Sequence, residues 1–132
     1  MNLKLILLTG LISCGLAMTA NAGSIDDMDG DRIPDVFDNC LDQANGPDDL
    51  THQDDADEDG YGNICDGDLT NDGLVAGTDF NAFLLLFGGT DLVADFTGDG
   101  IVAGTDFNKF LTMFGEPNGP SGLSCAGTIP CP

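Results

Sequence analysis

The chain has 132 residues and a formal net charge of −20, because 23 aspartates and glutamates face only three lysines and arginines. With 42% apolar residues, it fits one or two small folded domains and not a disordered acidic tail. A charge of this size repels nucleic acid and anionic membranes, which excludes both as partners, and it favours cations.

Residues 1–22 have the pattern of a secretory signal peptide. Lys4 precedes an apolar stretch that ends at Met18, and Ala20-Asn21-Ala22 fits the cleavage site. The stretch is too short and wrongly flanked for a membrane span. We therefore expect a secreted, extracellular protein. The alternative is a lipid anchor through Cys14, because residues 11–14 resemble a bacterial lipobox.

Aspartates recur at alternating positions in residues 23–67, within two 12-residue stretches that we call loop 1 (27–38) and loop 2 (55–66). Numbered within each loop, oxygen ligands fall where a calcium-binding EF-hand loop has them, with the backbone carbonyl as the ligand at position 7. The predicted metal ligands are Asp27, Asp29, Asp31, Ile33, Asp35 and Asp38 in loop 1, and Asp55, Asp57, Asp59, Tyr61, Asn63 and Asp66 in loop 2.

The patterns D-x-D-G-D-x-x-P-D-x-x-D-N-C and Q-x-D-x-D-x-D-G-x-G-N-x-C-D, over about residues 26–66, resemble thrombospondin type 3 repeats. The resemblance implies that calcium ions and disulfides hold this segment in place of an apolar core, and we pair Cys40 with Cys65. Arg32 stands at position 6, where glycine is usual. We expect it to strain loop 1 or lower its affinity.

Physical reasoning about the same segment leads to the same expectation. Its large apolar side chains are too few to offset the ordering of about 45 residues at ~1 to 2 kcal/mol each. Clustered carboxylates repel one another until a divalent ion neutralises them, so bound calcium is expected to supply folding energy. The alternative for a charge run is a flexible acidic segment without ions. Glycines and cysteines in register with the acids disfavour that alternative.

Residues 68–88 return as residues 95–115, with 15 of 21 aligned residues identical. Such an internal duplication predicts two copies of one structural unit. Each copy opens with a further 12-residue loop, loop 3 (68–79) and loop 4 (95–106), with glycine at position 6. The predicted ligands are Asp68, Thr70, Asp72, Leu74 and Asp79 in loop 3, and Asp95, Thr97, Asp99, Ile101 and Asp106 in loop 4.

Apolar residues follow loops 3 and 4 at helical spacing, and a glycine ends each run. We predict Thr78 and Thr105 as N-caps and a short strand contact between Val75 and Val102. The apolar faces are Phe80, Phe83, Leu84 and Phe87, and then Phe107, Phe110, Leu111 and Phe114. The expected fold class is small, mostly irregular and α, with calcium-stapled Asp-rich loops followed by two EF-hand-like loop–helix repeats packing as an antiparallel helix pair.

Residues 66–115 resemble a type I dockerin, whose two loop–helix repeats bind two calcium ions and dock onto a cohesin domain. Thr70 and Thr97 depart from the usual acidic or amide ligand at position 3. Gly77 and Gly104 stand where dockerins tend to carry a hydroxyl residue used in partner recognition. The resemblance therefore implies calcium binding more directly than cohesin binding.

From Glu116 the composition shifts to proline, glycine and serine, which predicts a linker or an extended tail over residues 116–132. We pair Cys125 with Cys131 as a small terminal disulfide loop. A two-cysteine metal site is the weaker alternative, because the sequence has no nearby histidine or third cysteine to complete it.

No serine, cysteine or histidine constellation indicates catalysis, so we predict a non-enzymatic protein. The interpretation is a secreted protein that binds about four Ca²⁺ ions and whose dockerin-like domain (68–115) attaches it to a cohesin-like or surface scaffold partner. Leu85 points away from the apolar face and nominates the first helix as the docking surface. The alternative is a calcium-rigidified structural or self-assembling subunit of an extracellular matrix or filament.

Overall fold

The computed structural model describes residues 25–132, so the predicted signal peptide, including Cys14, lies outside the described residues. Within them the chain forms two α-helices, α1 (Gly77–Leu86) and α2 (Gly104–Met113), and two 3-10 helices, Asp35–Phe37 and Leu92–Ala94, with no strand. The remainder is turns and irregular loops, which confirms the expected small, mostly irregular and α class in that coarse form. No helix in residues 25–132 has the length and apolar character needed to cross a membrane.

The apolar core of the described chain lies in residues 68–115 and is shared by the two repeats. Phe83 of α1 and Phe110 of α2 are fully buried, with ring centroids 5.4 Å apart. Phe96 stacks on Phe83 at 5.9 Å, and the remaining buried members are Val75, Ala94, Val102 and Met113. Equivalent residues of the two copies therefore bury each other, since neither helix has enough apolar surface alone. The antiparallel direction of the helices stays a prediction.

The predicted apolar faces are buried only in part. Phe80 and Phe107 are partly buried against the core. The other four members, Leu84, Phe87, Leu111 and Phe114, are each about half exposed. Packing of the two helices against each other therefore buries only part of each apolar face.

Each helix begins one residue before the predicted cap. In α1 the N-cap is Ala76, whose N–H donates to the Asp79 carboxylate at 2.8 Å. The second repeat does the same from Ala103 to Asp106, also at 2.8 Å. The prediction that threonines cap these helices is wrong, because the carboxylate three residues into the helix caps the backbone instead.

Val75 and Val102 do not pair with each other, so the predicted strand contact is wrong. Val75 exchanges two backbone hydrogen bonds with residues 115–116, at 2.9 and 2.8 Å, just after α2. Val102 makes the equivalent pair with residues 88–89, at 2.9 and 2.8 Å, just after α1. Each loop is therefore joined to the end of the other repeat's helix.

Residues 25–67 enclose a polar interior. The large apolar side chains Ile25, Met28, Val36, Phe37 and Leu50 remain exposed, each by more than 60%. Cysteines and polar residues are buried in their place, namely Asp31, Asp38, Asn39, Cys40, Asn45, Thr51, Asp59, Asn63, Cys65 and Asp66. The predicted pairing is present as a disulfide between Cys40 and Cys65, with Cα atoms 6.0 Å apart.

Residues 116–132, which we call the C-terminal strap, lie against residues 35–65. The strap donates backbone hydrogen bonds from Gly119 to the Cys65 carbonyl at 2.9 Å and from Gly122 to the Asp38 carbonyl at 2.8 Å. Its end is closed by the predicted Cys125–Cys131 disulfide, with Cα atoms 5.2 Å apart. The segment expected to be a linker or an extended tail is thus an integral part of the fold.

Candidate metal centres

The four loops share one backbone conformation, in which positions 4 and 6 both have positive φ. These residues are Gly30, Glu58, Asn71 and Gly98 at position 4, and Arg32, Gly60, Gly73 and Gly100 at position 6. Left-handed backbone is rare for side chains other than glycine and costs about 1 to 2 kcal/mol. Arg32, with φ of 80°, is therefore strained as predicted. Its side chain forms an exposed ion pair with Asp48.

Backbone N–H groups orient the carboxylates at positions 1 and 5 of every loop. The position 1 aspartate accepts from the position 6 N–H, at 3.1, 2.8, 2.5 and 2.8 Å in loops 1 to 4. The position 5 aspartate accepts from the position 7 N–H, at 2.7, 2.9, 3.2 and 3.1 Å. The turn itself thus directs these oxygens toward the interior of the loop.

Each loop brings three carboxylates together, with ligand oxygens within 4.8 Å of one another. The clusters are Asp27, Asp29 and Asp31; Asp55, Asp57 and Asp59; Asp68, Asp72 and Asp79; and Asp95, Asp99 and Asp106. Calcium binds oxygens at about 2.3 to 2.6 Å, so two of its ligands lie up to about 5 Å apart. The spacing of each cluster therefore fits one calcium ion.

The position 12 carboxylate joins its cluster in loops 3 and 4 but not in loops 1 and 2. In loop 3 the helix that follows turns Asp79 back over the loop, where it accepts from the Thr70 N–H at 3.0 Å and the Thr70 hydroxyl at 2.9 Å. Burial alone would raise the pKa of Asp79, but hydrogen bonds from Ala76 and Thr70 lower the pKa overall. Thr97 and Asp106 repeat the contacts in loop 4.

Loops 1 and 2 bring the predicted ligand sets together only in part. Asp38 and Asp66, at position 12, are buried outside the clusters. At position 9, Asp35 accepts from the Met28 N–H at 2.8 Å and Asn63 from the Ala56 N–H at 2.9 Å. These position 9 oxygens therefore hydrogen-bond the backbone at position 2 of the same loop. No helix follows either loop to turn the position 12 side chain inward.

Loop 1 contains buried carboxylate oxygens that need a partner. Asp29 Oδ2 and Asp38 Oδ2 have no hydrogen-bond partner among residues 25–132. Burial raises the pKa of Asp29; a hydrogen bond from the Asp31 N–H opposes that shift, and the charges of Asp31, Asp38 and Asp27 add to it. A buried oxygen without a donor is costly, and a bound cation would offset that cost.

Loops 2 and 3 meet at a concentration of negative charge. Burial, followed by the charge of Asp59, raises the pKa of Asp66 to about 9. Burial also raises the pKa of Asp59 to about 6, with the charges of Asp57 and Asp55 contributing. The Asp68 N–H donates to Asp66 at 2.9 Å, so no linker separates the two loops.

No protein-family model matches the chain, and no curated protein matches it. Among solved structures, the chain is similar to a type II cohesin-dockerin domain from Bacteroides cellolosolvens. The two are 29% identical over 39% of this chain and 85% of that chain, with a TM-score of 0.37. A TM-score of this size does not by itself establish a shared fold.

Two residues outside the loops bond loop carboxylates, and the spacing of the predicted ligands does not include them. Gln53 lies before loop 2 but donates to Asp38 of loop 1 at 2.7 Å. Asn118 of the C-terminal strap donates to Asp59 of loop 2 at 3.3 Å, across 59 residues of chain. Gln53 opens the pattern Q-x-D-x-D-x-D-G-x-G-N-x-C-D, which places it two residues before loop 2. Its contact with loop 1, like that of Asn118 with loop 2, is revealed only by the packing of distant segments.

Proposed function

We propose that this is a non-enzymatic, secreted calcium-binding protein with one ion in each of its four loops. The observation that carries the proposal is the repetition of one geometry: all four loops share positive φ at positions 4 and 6, and each gathers three carboxylates within 4.8 Å. A single acidic cluster is common without an ion. Four clusters in one backbone conformation, at a net charge of −20, favour a divalent cation in each.

The donor set favours calcium over other divalent ions. Carboxylates, threonine hydroxyls and backbone carbonyls are hard oxygen ligands, which calcium takes in sets of six to eight with flexible geometry. Zinc prefers histidine and cysteine, and the four cysteines of the described chain are already held in disulfides. The carbonyls at position 7 and the threonines at position 3 would complete the calcium sites.

Calcium also has a structural role in this proposal. The interior of residues 25–67 is polar, so burial of apolar surface contributes little to its stability. Metal binding to a site that exists only in the folded chain adds directly to the folding free energy. The acidic half is therefore the part of the molecule that depends most on the ion.

We further propose that residues 68–115 act as a dockerin-like attachment module for a cohesin-like or surface scaffold protein. Leu85 of α1 is 87% exposed, and Phe80, Phe107, Leu111 and Phe114 line a shallow apolar groove between the repeats. These exposed apolar side chains are the candidate docking surface in this proposal. The ions of loops 3 and 4 would hold the two helices in the orientation that presents it.

The experiment is removal and return of calcium, with metal counted by mass spectrometry. We expect four ions per chain, and we expect chelation to abolish the structure of residues 25–67 before that of the Phe-rich core, as followed by circular dichroism and amide NMR. Retention of the whole fold with no bound calcium after exhaustive dialysis against EDTA would refute the proposal. The single substitution Asp95→Asn should remove one ion, whereas Asp91→Asn, outside the loops, should remove none.

Partner attachment is tested separately in dilute solution with saturating calcium. A monomer that captures a cohesin domain only in calcium supports attachment, and Leu85→Asp should weaken that capture if α1 is the docking surface. Calcium-dependent growth into polymers instead supports the alternative of a self-assembling matrix or filament subunit. An unchanged affinity in Leu85→Asp would remove α1 as the surface.

A further inference from the structure

Asp38 is the most enclosed carboxylate of loop 1, and its two oxygens differ in their surroundings. The side chain is fully buried. Oδ1 accepts from the Cys40 N–H at 2.9 Å and from Gln53 Nε2 at 2.7 Å. Oδ2 has no hydrogen-bond partner in residues 25–132, as is also true of Asp29 Oδ2 in the loop 1 cluster. One oxygen thus has two hydrogen-bond donors, and the other has none among the described residues.

The side chain of Gln53 is fixed by groups on every side. Its Oε1 accepts from the Asn39 N–H at 2.8 Å, so the amide NH₂ must face the other way, toward Asp38. The same NH₂ group donates to Asn45 Oδ1, and the Gln53 carbonyl accepts from Asn39 Nδ2 at 2.9 Å. The Asn45 N–H in turn donates to Asp31 at 3.0 Å. The network therefore reaches two carboxylates of loop 1.

A neutral amide is well suited to this position. It satisfies one oxygen of Asp38 without cancelling the negative charge, which a lysine or an arginine would do. Some residues hydrogen-bond a metal ligand and fix its orientation without touching the ion. Removing such a residue typically lowers metal affinity by about 10- to 100-fold. Gln53 lies 15 residues after Asp38, two residues before loop 2, and so belongs to neither 12-residue loop.

We propose that Gln53 is a positioning residue for the cation site of loop 1, holding Asp38 so that its free oxygen completes the cluster of Asp27, Asp29 and Asp31. The inference rests on the proposed binding of calcium. Asp38 is already a predicted ligand of loop 1 but lies outside the three-residue cluster. What is new is that its contribution depends on Gln53, a residue from outside the loop.

The test compares Gln53→Leu and the similarly sized Gln53→Glu with Gln43→Leu, which changes the other glutamine of the chain. Calcium titrations are followed by amide NMR at Arg32, Gly60, Gly73 and Gly100, because each position 6 N–H bonds the first carboxylate of its own loop. We expect the Gln53 variants to weaken calcium binding at loop 1 by about 10- to 100-fold. Loops 3 and 4, and all four loops in Gln43→Leu, should keep their affinity.

A second comparison separates positioning from a general structural role. In an Asp38→Asn background, Gln53→Leu should have little further effect on loop 1, because the group that it positions has already lost its charge. An equal loss with and without Asp38→Asn, an equal loss at all four loops, or unchanged binding at loop 1 would each overturn the inference. Wild-type protein that takes up no calcium would refute the proposed function and this inference together. Wild-type binding with unaltered variants would refute the inference alone.

Discussion

Replacing Phe83 by alanine tests whether the two repeats share one core. Phe83 is fully buried, with the rings of Phe110, Phe96 and Phe107 at 5.4, 5.9 and 6.0 Å. Removing a buried phenylalanine costs about 3 to 5 kcal/mol, from lost burial and the cavity that remains. Because the rings of α1, α2 and Phe96 all meet at this side chain, both repeats should lose stability together.

The matched control is Phe87→Ala, the same substitution in the residue that ends the same helix. Phe87 is 51% exposed, and full burial of such a side chain contributes about 1.5 to 3 kcal/mol, so half of that, roughly 1 kcal/mol, is expected. Urea unfolding in saturating calcium, followed by circular dichroism, measures both. Equal costs for the two substitutions would refute the shared core, as would loss of loop 3 alone in amide NMR of Phe83→Ala.

Four further predictions concern the loops and the strap. Because the pKa values of Asp59 and Asp66 are raised to about 6 and about 9, the folded metal-free segment binds more protons than the unfolded chain, so the structure that residues 25–67 retain without calcium should be greatest near pH 4 and should be lost as pH rises through 6 and 9. Circular dichroism of the calcium-free protein across this range measures the loss, and structure that instead increases with pH would contradict it. Arg32→Gly should raise the free energy of unfolding of the calcium-loaded protein by up to about 1 kcal/mol, because strain is relieved and an exposed ion pair is worth little. Gly73→Ala should lower the free energy of unfolding by a similar amount. At Gly73 φ is 95° and no described atom lies within 4 Å of an added Cβ, so the cost would come from the backbone alone. Equal melting temperatures of wild type and either variant would contradict backbone strain at position 6. Gly122→Ala should lower the calcium affinity of loop 1, because an added Cβ would overlap a backbone carbonyl of that loop. Calorimetric titration of the variant and the wild type measures the affinity. An unchanged affinity would show that the C-terminal strap can shift without disturbing loop 1.

Local spacing was enough to locate the loops and helices. The alternation of acids with a turn residue places loops 1 to 4 in register, because ligands and turns repeat within 12 residues of chain. The period of the phenylalanines predicts α1 and α2 for the same reason, and Gly88 and Gly115, with φ of 84° and 93°, follow their ends. Both cysteine pairs chosen from the sequence lie together as disulfides.

Capping was misjudged because two local rules competed. Thr78 fits the N-cap preference, but Asp79 must turn back toward loop 3, and that turn places the N-cap at Ala76. The helix after loop 3 also explains why the position 12 aspartates of loops 3 and 1 differ. A helix after the loop folds Asp79 inward, whereas Asp38, with no helix after it, depends on Gln53.

What the amino-acid order determined by itself is whatever lies within one turn or one loop: the acidic repeats and the helical periods. Tertiary structure alone decided the rest, namely the crossing of each loop to the other repeat, the strap against residues 35–65 and the reach of Gln53 and Asn118. The physical reason is that these contacts join segments that are distant along the chain. These contacts form only when the whole chain folds, so no local spacing in the sequence predicts them.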